Sequence, residues 1–242
     1  MQYNNAPIQE AVFDIRVKKV SNIDIEYYKS LRETALSEYP KTKSKIQVSG
    51  KYRFEKSDFI TEHGTPKEMG VIFTNEKGNK KVQFRKDGFT FNQLKPYTNW
   101  DKFSKEAFKY WNIYKNELQP DSIDRIALRY INKIDLPLTD DLNFDDYFLN
   151  IPQLPSTFDQ GYLSLYQRIK AQCSIGDFIA NVTSKFDKPE DNYLPFILDI
   201  DVFGLRDFSI DENLNEEFLK IRENKNEIFE SFITNKTRDL FK

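Results

Sequence analysis

Strict alternation of apolar and polar side chains, over segments long enough to be strands, is the feature that most restricts this chain. In residues 12–18, Phe13, Ile15 and Val17 fall on one face and Asp14, Arg16 and Lys18 on the other. In residues 122–136, Ile126, Leu128, Tyr130 and Ile134 share one face, while Arg125, Arg129 and Lys133 lie mostly on the other. A period of two sends successive side chains to opposite sides of a pleated strand, so both segments predict strands with one buried and one polar face. The same pattern recurs. Ile46, Val48, Tyr52 and Phe54 have one parity; residues 69–74 and 81–85 flank a turn at 76–79, and Asp87-Gly88 turns the chain into 89–91, these glycine dipeptides supplying positive φ. Three more strands are expected over 162–172, 178–185 and 194–203.

Between them the period changes to that of a helix. Asp24 can cap a helix over 25–39 with Tyr28, Leu31, Ala35 and Tyr39 on one side, ahead of Pro40. A second is expected over 99–118, with Phe103, Ala107, Tyr110, Trp111, Tyr114 and Leu118 in one stripe and Pro120 beyond it. A short helical turn over 145–149 and a last helix from 213 to the C-terminus, burying Phe218, Ile221, Ile228 and Phe232, complete the reading. The order strand, helix, three or four strands, helix is followed by strand, short helix, three strands, helix. The expected fold is therefore α+β: antiparallel sheets packed on long helices in two pseudo-duplicated halves, 1–120 and 121–242, within one compact unit. One continuous antiparallel sheet with its helices on a single face is the alternative.

The residue inventory excludes several chemistries. With 39% hydrophobic residues, 21 Phe and 13 Tyr among 242, the composition is that of a folded chain. A single histidine, His63, and a single cysteine, Cys173, preclude a zinc site built on several His or Cys ligands and an internal disulfide. None of the eight glycines completes a G-x-G-x-x-G or G-x-x-x-x-G-K-[ST] phosphate cradle, and no cofactor is expected. No apolar run approaches ~18 residues and the opening ten residues lack a signal-peptide pattern, so the expectation is a cytoplasmic protein with no membrane partner.

The formal charge of −2 hides an asymmetry. Residues 1–120 carry 22 Lys plus Arg against 15 Asp plus Glu, a balance of +7, and residues 121–242 carry 14 against 23, a balance of −9. Lys43, Lys45, Lys51, Arg53, Lys80, Lys81 and Arg85 are candidates for a polyanion-binding patch, joined by Lys41 and Lys56, with Tyr52, Phe54 and Phe84 as stacking groups. The same lysines also suit a solvated surface with guarded sheet edges. Asp199 and Asp201, two apart on a strand, project from one face and could share a divalent cation in metal binding or catalysis, or else meet Arg125 and Arg129. Asp14 and Arg16 pose the same question on the first strand. His63 reads as a loop residue between strands and Cys173 as a small packing residue.

Several stretches carry a likeness to a known group. Asn5-Ala-Pro-Ile-Gln-Glu-Ala-Val-Phe-Asp-Ile-Arg16, Gln93-Leu-Lys-Pro-Tyr97 followed by Trp100, Arg125-Ile-Ala-Leu-Arg-Tyr-Ile-Asn132, Asp146-Tyr-Phe148, and an ending through Ile228, Phe232, Arg238 and Phe241 resemble, in this order, a sporadically distributed bacterial family of uncharacterised proteins. The resemblance implies a bacterial protein often encoded on mobile or defence-associated segments, and it transfers no catalytic mechanism. The leading expectation is a noncatalytic binding or regulatory protein, a partner in a toxin or phage-defence system that contacts another protein or itself. Two alternatives stay open: a metal-dependent nuclease or phosphoesterase using Asp199 and Asp201, and a nucleic-acid-binding module using the basic first-half sheet. Enzyme activity is left open, with the balance against it.

Overall fold

Alternating segments become strands and 3.6-period segments become helices. In chain order these are β1 (Ile8–Lys18), α1 (Ile25–Thr34), β2 (Lys41–Gln47), β3 (Gly50–Glu55), β4 (Asp58–His63), β5 (Lys67–Thr74), β6 (Lys80–Arg85), β7 (Gly88–Leu94), α2 (Trp100–Leu118), β8 (Ser122–Pro137), β9 (Leu165–Gln172), β10 (Ile179–Phe186), β11 (Tyr193–Gly204), α3 (Leu214–Phe232) and α4 (Asn235–Asp239). The computed structural model describes residues 3–18, 24–48, 50–55, 58–63, 65–158, 161–186 and 188–242, with the strands between 50 and 63 described through their backbone.

The expectation of two sheets, each gripping a long helix in its own half, is overturned. Among the described residues, nine antiparallel strands form one sheet in the order β2-β5-β6-β7-β1-β8-β11-β10-β9, and only β3 and β4 pair apart from it. The reason is the central position of β1. It hydrogen-bonds to β7 on one edge (Phe13 opposite Phe91) and to β8 on the other (Phe13 opposite Leu128), so the first strand of residues 1–120 joins the first strand of 121–242 into one ladder. On either side of this seam the hairpins run outward in reverse chain order, β7, β6, β5 and β11, β10, β9.

Register places Val71, Phe73, Val82, Phe84, Phe89, Phe91, Phe13, Leu128, Leu198, Ile200 and Val182 on one buried face. The helices cover this face. Tyr114 of α2 meets Phe84 and Phe89 edge-on or tilted, and Phe218 of α3 stacks on Phe13 at 3.9 Å between ring centres, with Phe108 of α2 edge-on to both. Fully burying a Phe of this kind stabilises by roughly 1.5–3 kcal/mol, so the helices are held mainly by this aromatic seam.

Local chemistry sets the ends of the helices. Asp24, Asn99, Asn213 and Thr234 each accept a hydrogen bond from a backbone N–H of the first turn they precede. The expected helix over 25–39 stops at Thr34, after which Leu36 and Tyr39 stay buried in turns. The expected C-terminal helix breaks at extended Ile233, whose buried side chain and bridge to Phe148 anchor the chain before α4. Instead of three or four strands between α1 and α2 there are six among the described residues, β2 to β7. His63, expected in a link, belongs to the backbone of β4, and its side chain is outside the described residues. Among the described residues no helix is long and apolar enough to cross a membrane.

Candidate functional site

The face of the sheet turned away from the helices is polar, and its centre is a chain of ion pairs running across strands. Asp14 of β1 lies opposite Thr90 of β7 and Ala127 of β8. One of its carboxylate oxygens accepts from Arg85 Nη1 and Thr90 Oγ1, both at 2.8 Å, and the other accepts from Arg125 Nη1 at 3.0 Å. Arg125 continues to Asp201 through Nη2 at 3.0 and 3.2 Å, and lies over the Phe203 ring at 4.8 Å. Alongside, Arg129 holds Asp199 with two hydrogen bonds of 2.8 and 2.6 Å. Arg85 also donates to Asp87 at 2.9 Å.

The two carboxylates that share Arg125 shift in opposite directions. For Asp14 burial raises the pKa, but Arg85, Thr90 and Arg125 outweigh it and the net value is lowered. Asp201 is raised, because burial dominates and the Asp14 and Asp199 charges work with it against Arg125 and Arg129.

Beside this chain, over β8, β11, β10 and β9, lies an open groove of about 360 Å³ lined by Arg129, Tyr166, Arg168, Asn181, Thr183, Lys185, Asp199 and Asp201. Asn181 Oδ1 is buried there without a hydrogen-bond partner. Arg168 and Lys185 are exposed, as is the Tyr166 ring at 70%. On the opposite flank Lys45 donates to Gln83 at 3.1 Å, Gln83 to Asn92 at 2.8 Å, and Asn92 to Glu10 at 2.7 Å. Burial and the nearby Arg85 lower the Lys45 pKa.

The sequence candidates divide accordingly. Asp199 and Asp201 project from one face, and an arginine engages each, so a cation could be shared only after both pairs opened. Among the described residues no group of three His, Cys, Asp or Glu side chains is placed to hold a metal ion. Lys43, Lys45, Lys81 and Arg85 share the open face, but Lys80 points to the helix side and binds Glu106. The expected stacking role of Phe84 does not hold, since its ring is buried between Phe73 and Tyr114. Lys51, Tyr52, Arg53, Phe54 and Lys56 fall outside the described side chains. Cys173 is half-buried, with its thiol pKa raised by burial and by Glu227.

Arg168 and Lys185 were not among the sequence candidates. Tyr166, Arg168 and Lys170 alternate along β9 as clearly as Asp14, Arg16 and Lys18 do along β1, but only the pairing of Arg168 with Thr183 and of Lys185 with Tyr166 brings them into one groove. No protein-family model matches the chain, and no curated protein matches it in sequence.

Proposed function

We propose that the protein is a noncatalytic binding protein that holds single-stranded nucleic acid across the open face of its sheet. The observation that carries this reading is the set of cations left over once the ion-pair chain is complete. Arg16, Lys43, Lys81, Arg168, Lys170 and Lys185 all lie on this face and form no ion pair among the described residues. The arginines inside the chain are spoken for, which fixes the face in shape, while the unpaired cations remain available to phosphates. Tyr166 adds an exposed ring beside them, and base stacking on such a ring is worth about 1–3 kcal/mol regardless of sequence. If the chain works beside a toxin or phage-defence effector, as its resemblance implies, nucleic acid would be their common target.

The test is fluorescence anisotropy of a labelled single-stranded oligonucleotide over a range of salt. Binding should weaken linearly with log salt, and Arg168→Ala combined with Lys185→Ala should lower the slope by ~0.7 for each phosphate contact removed. A flat salt response, or a double variant that binds like the parent, would refute the reading. Capture of an acidic protein in place of the oligonucleotide would move the function to a protein interface.

A further inference from the structure

On the helix side, at the end of the sheet where β8 passes under the start of α2 and the middle of α3, lies a second cavity of about 200 Å³. Its lining mixes the rings of Tyr97, Trp100, Tyr130 and Phe229 with polar side chains, the carboxylates of Asp101 and Glu230 among them. The Tyr97 and Tyr130 hydroxyls meet at 3.0 Å, and their rings stand edge to face. Two cations of α3 enter it. Lys225 places its Nζ 4.2 Å from the centre of the Tyr130 ring, and Arg222 places its guanidinium 5.5 Å from that of Trp100. Neither has a hydrogen bond or an ion pair among the described residues. Of the two acids that line the cavity, Glu230 is already engaged by the Tyr3 hydroxyl at 2.8 Å and by Arg238 Nε at 2.9 Å, and Asp101 is exposed.

We propose that this cavity is a binding site for a small monoanion, a carboxylate carrying one ring or an apolar body of similar size. Arg222 and Lys225, which form no ion pair among the described residues, supply the charge complement, and the four rings supply apolar wall. The space has room for a single ring, since an apolar cavity of about 150 Å³ already holds a benzene molecule.

The groups facing Lys225 define its protonation. Arg222 and Glu230 come from α3, Tyr130 from β8, Tyr97 from the loop before α2, Asp101 from the first turn of α2, and Tyr3 and Arg238 from the chain ends. Burial first and then Arg222 pull the Lys225 pKa down to about 7, against the opposing charge of Glu230. An anion in the cavity reverses that balance, so binding above pH 7 takes up a proton at Lys225.

Benzoate and its neutral isostere benzamide are the probes, followed by titration calorimetry on the full chain at pH 8 in buffers of different ionisation enthalpy. Benzoate should bind about tenfold or more tightly than benzamide, as expected for a hydrogen bond to a charged group. It should bind with net proton uptake, and Lys225→Met and Arg222→Gln should each lose about tenfold. Thermal unfolding of both variants checks that they fold, and Arg222→Gln keeps the test open if Lys225→Met does not. Failure of benzoate to bind, equal binding of benzamide, or undiminished binding by a folded variant would overturn the proposal.

Discussion

At the scale of single residues, the sequence pattern identifies which side of a strand a side chain occupies but not what it meets there. Gly88 illustrates this. The Asp87-Gly88 pair reads as a turn whose glycine supplies positive φ, yet the turn residues are Lys86 and Asp87, and Gly88 is the first residue of β7. Its φ is +147°, and a Cβ there would lie 2.2 Å from the Ile15 carbonyl oxygen of β1, so glycine is required by the neighbouring strand. Lys225 is a second case. In α3 it reads as one more surface lysine, and only burial in the folded chain, followed by the charge of Arg222, lowers its pKa to about 7. Its folded value lies below the ordinary lysine value of 10.5, so between those limits the unfolded chain binds more protons and this residue's burden on stability diminishes as pH rises. Chemical denaturation of the parent and of Lys225→Met should therefore show the variant more stable near pH 7, with the gap closing toward pH 10. A gap independent of pH would mean that the amine is solvated as an ordinary lysine.

At the scale of elements, a helical stripe announces which face is buried but not how the helix is fastened. Asn224 of α3 is 1% exposed and polar, an exception within a stripe of Phe218, Ile221 and Phe229. Its side-chain amide donates to the Ile175 carbonyl at 2.8 Å and its oxygen accepts from the Ile175 N–H at 3.1 Å, which clamps the β9–β10 turn onto the helix. Asn224→Ala leaves both backbone groups unpartnered, and thermal or urea unfolding should register a loss of about 1–3 kcal/mol. Element boundaries were legible where a cap or a proline marks them, as at Asn99 and Pro120 around α2. They were not legible where tertiary contacts end the element, as at Ile233, because nothing in the local pattern reports a bridge to Phe148, 85 residues earlier in the chain.

At the scale of the whole molecule, the joining of the sheet along β1 and β8 puts Asp14 between arginines from 1–120 and 121–242. Asp14→Asn removes a largely buried charge from Arg85 and Arg125, and a loss of about 3–5 kcal/mol is expected near neutral pH. Because the folded-state pKa of Asp14 is lowered from 3.8, its contribution is complete above that value and lost as pH falls through the lower, folded value. Acid titration should thus show the parent and Asp14→Asn converging at low pH; a constant difference would assign the effect to packing. The charge asymmetry also takes a different form. The sequence divides +7 from −9 at residue 120, but the sheet sets Lys43 and Lys81 of the first part and Arg168, Lys170 and Lys185 of the second on one face, while Glu216, Glu217, Glu223 and Glu227 lie on α3 across the sheet. By itself the sequence determined which residues alternate, which helices form and which side of each strand is polar, because periodicity and capping are local properties. Only the tertiary structure decided that two strands 114 positions apart in their first residues pair into one sheet, and hence which arginines meet which aspartates, because register between distant strands depends on the shared aromatic core beneath them.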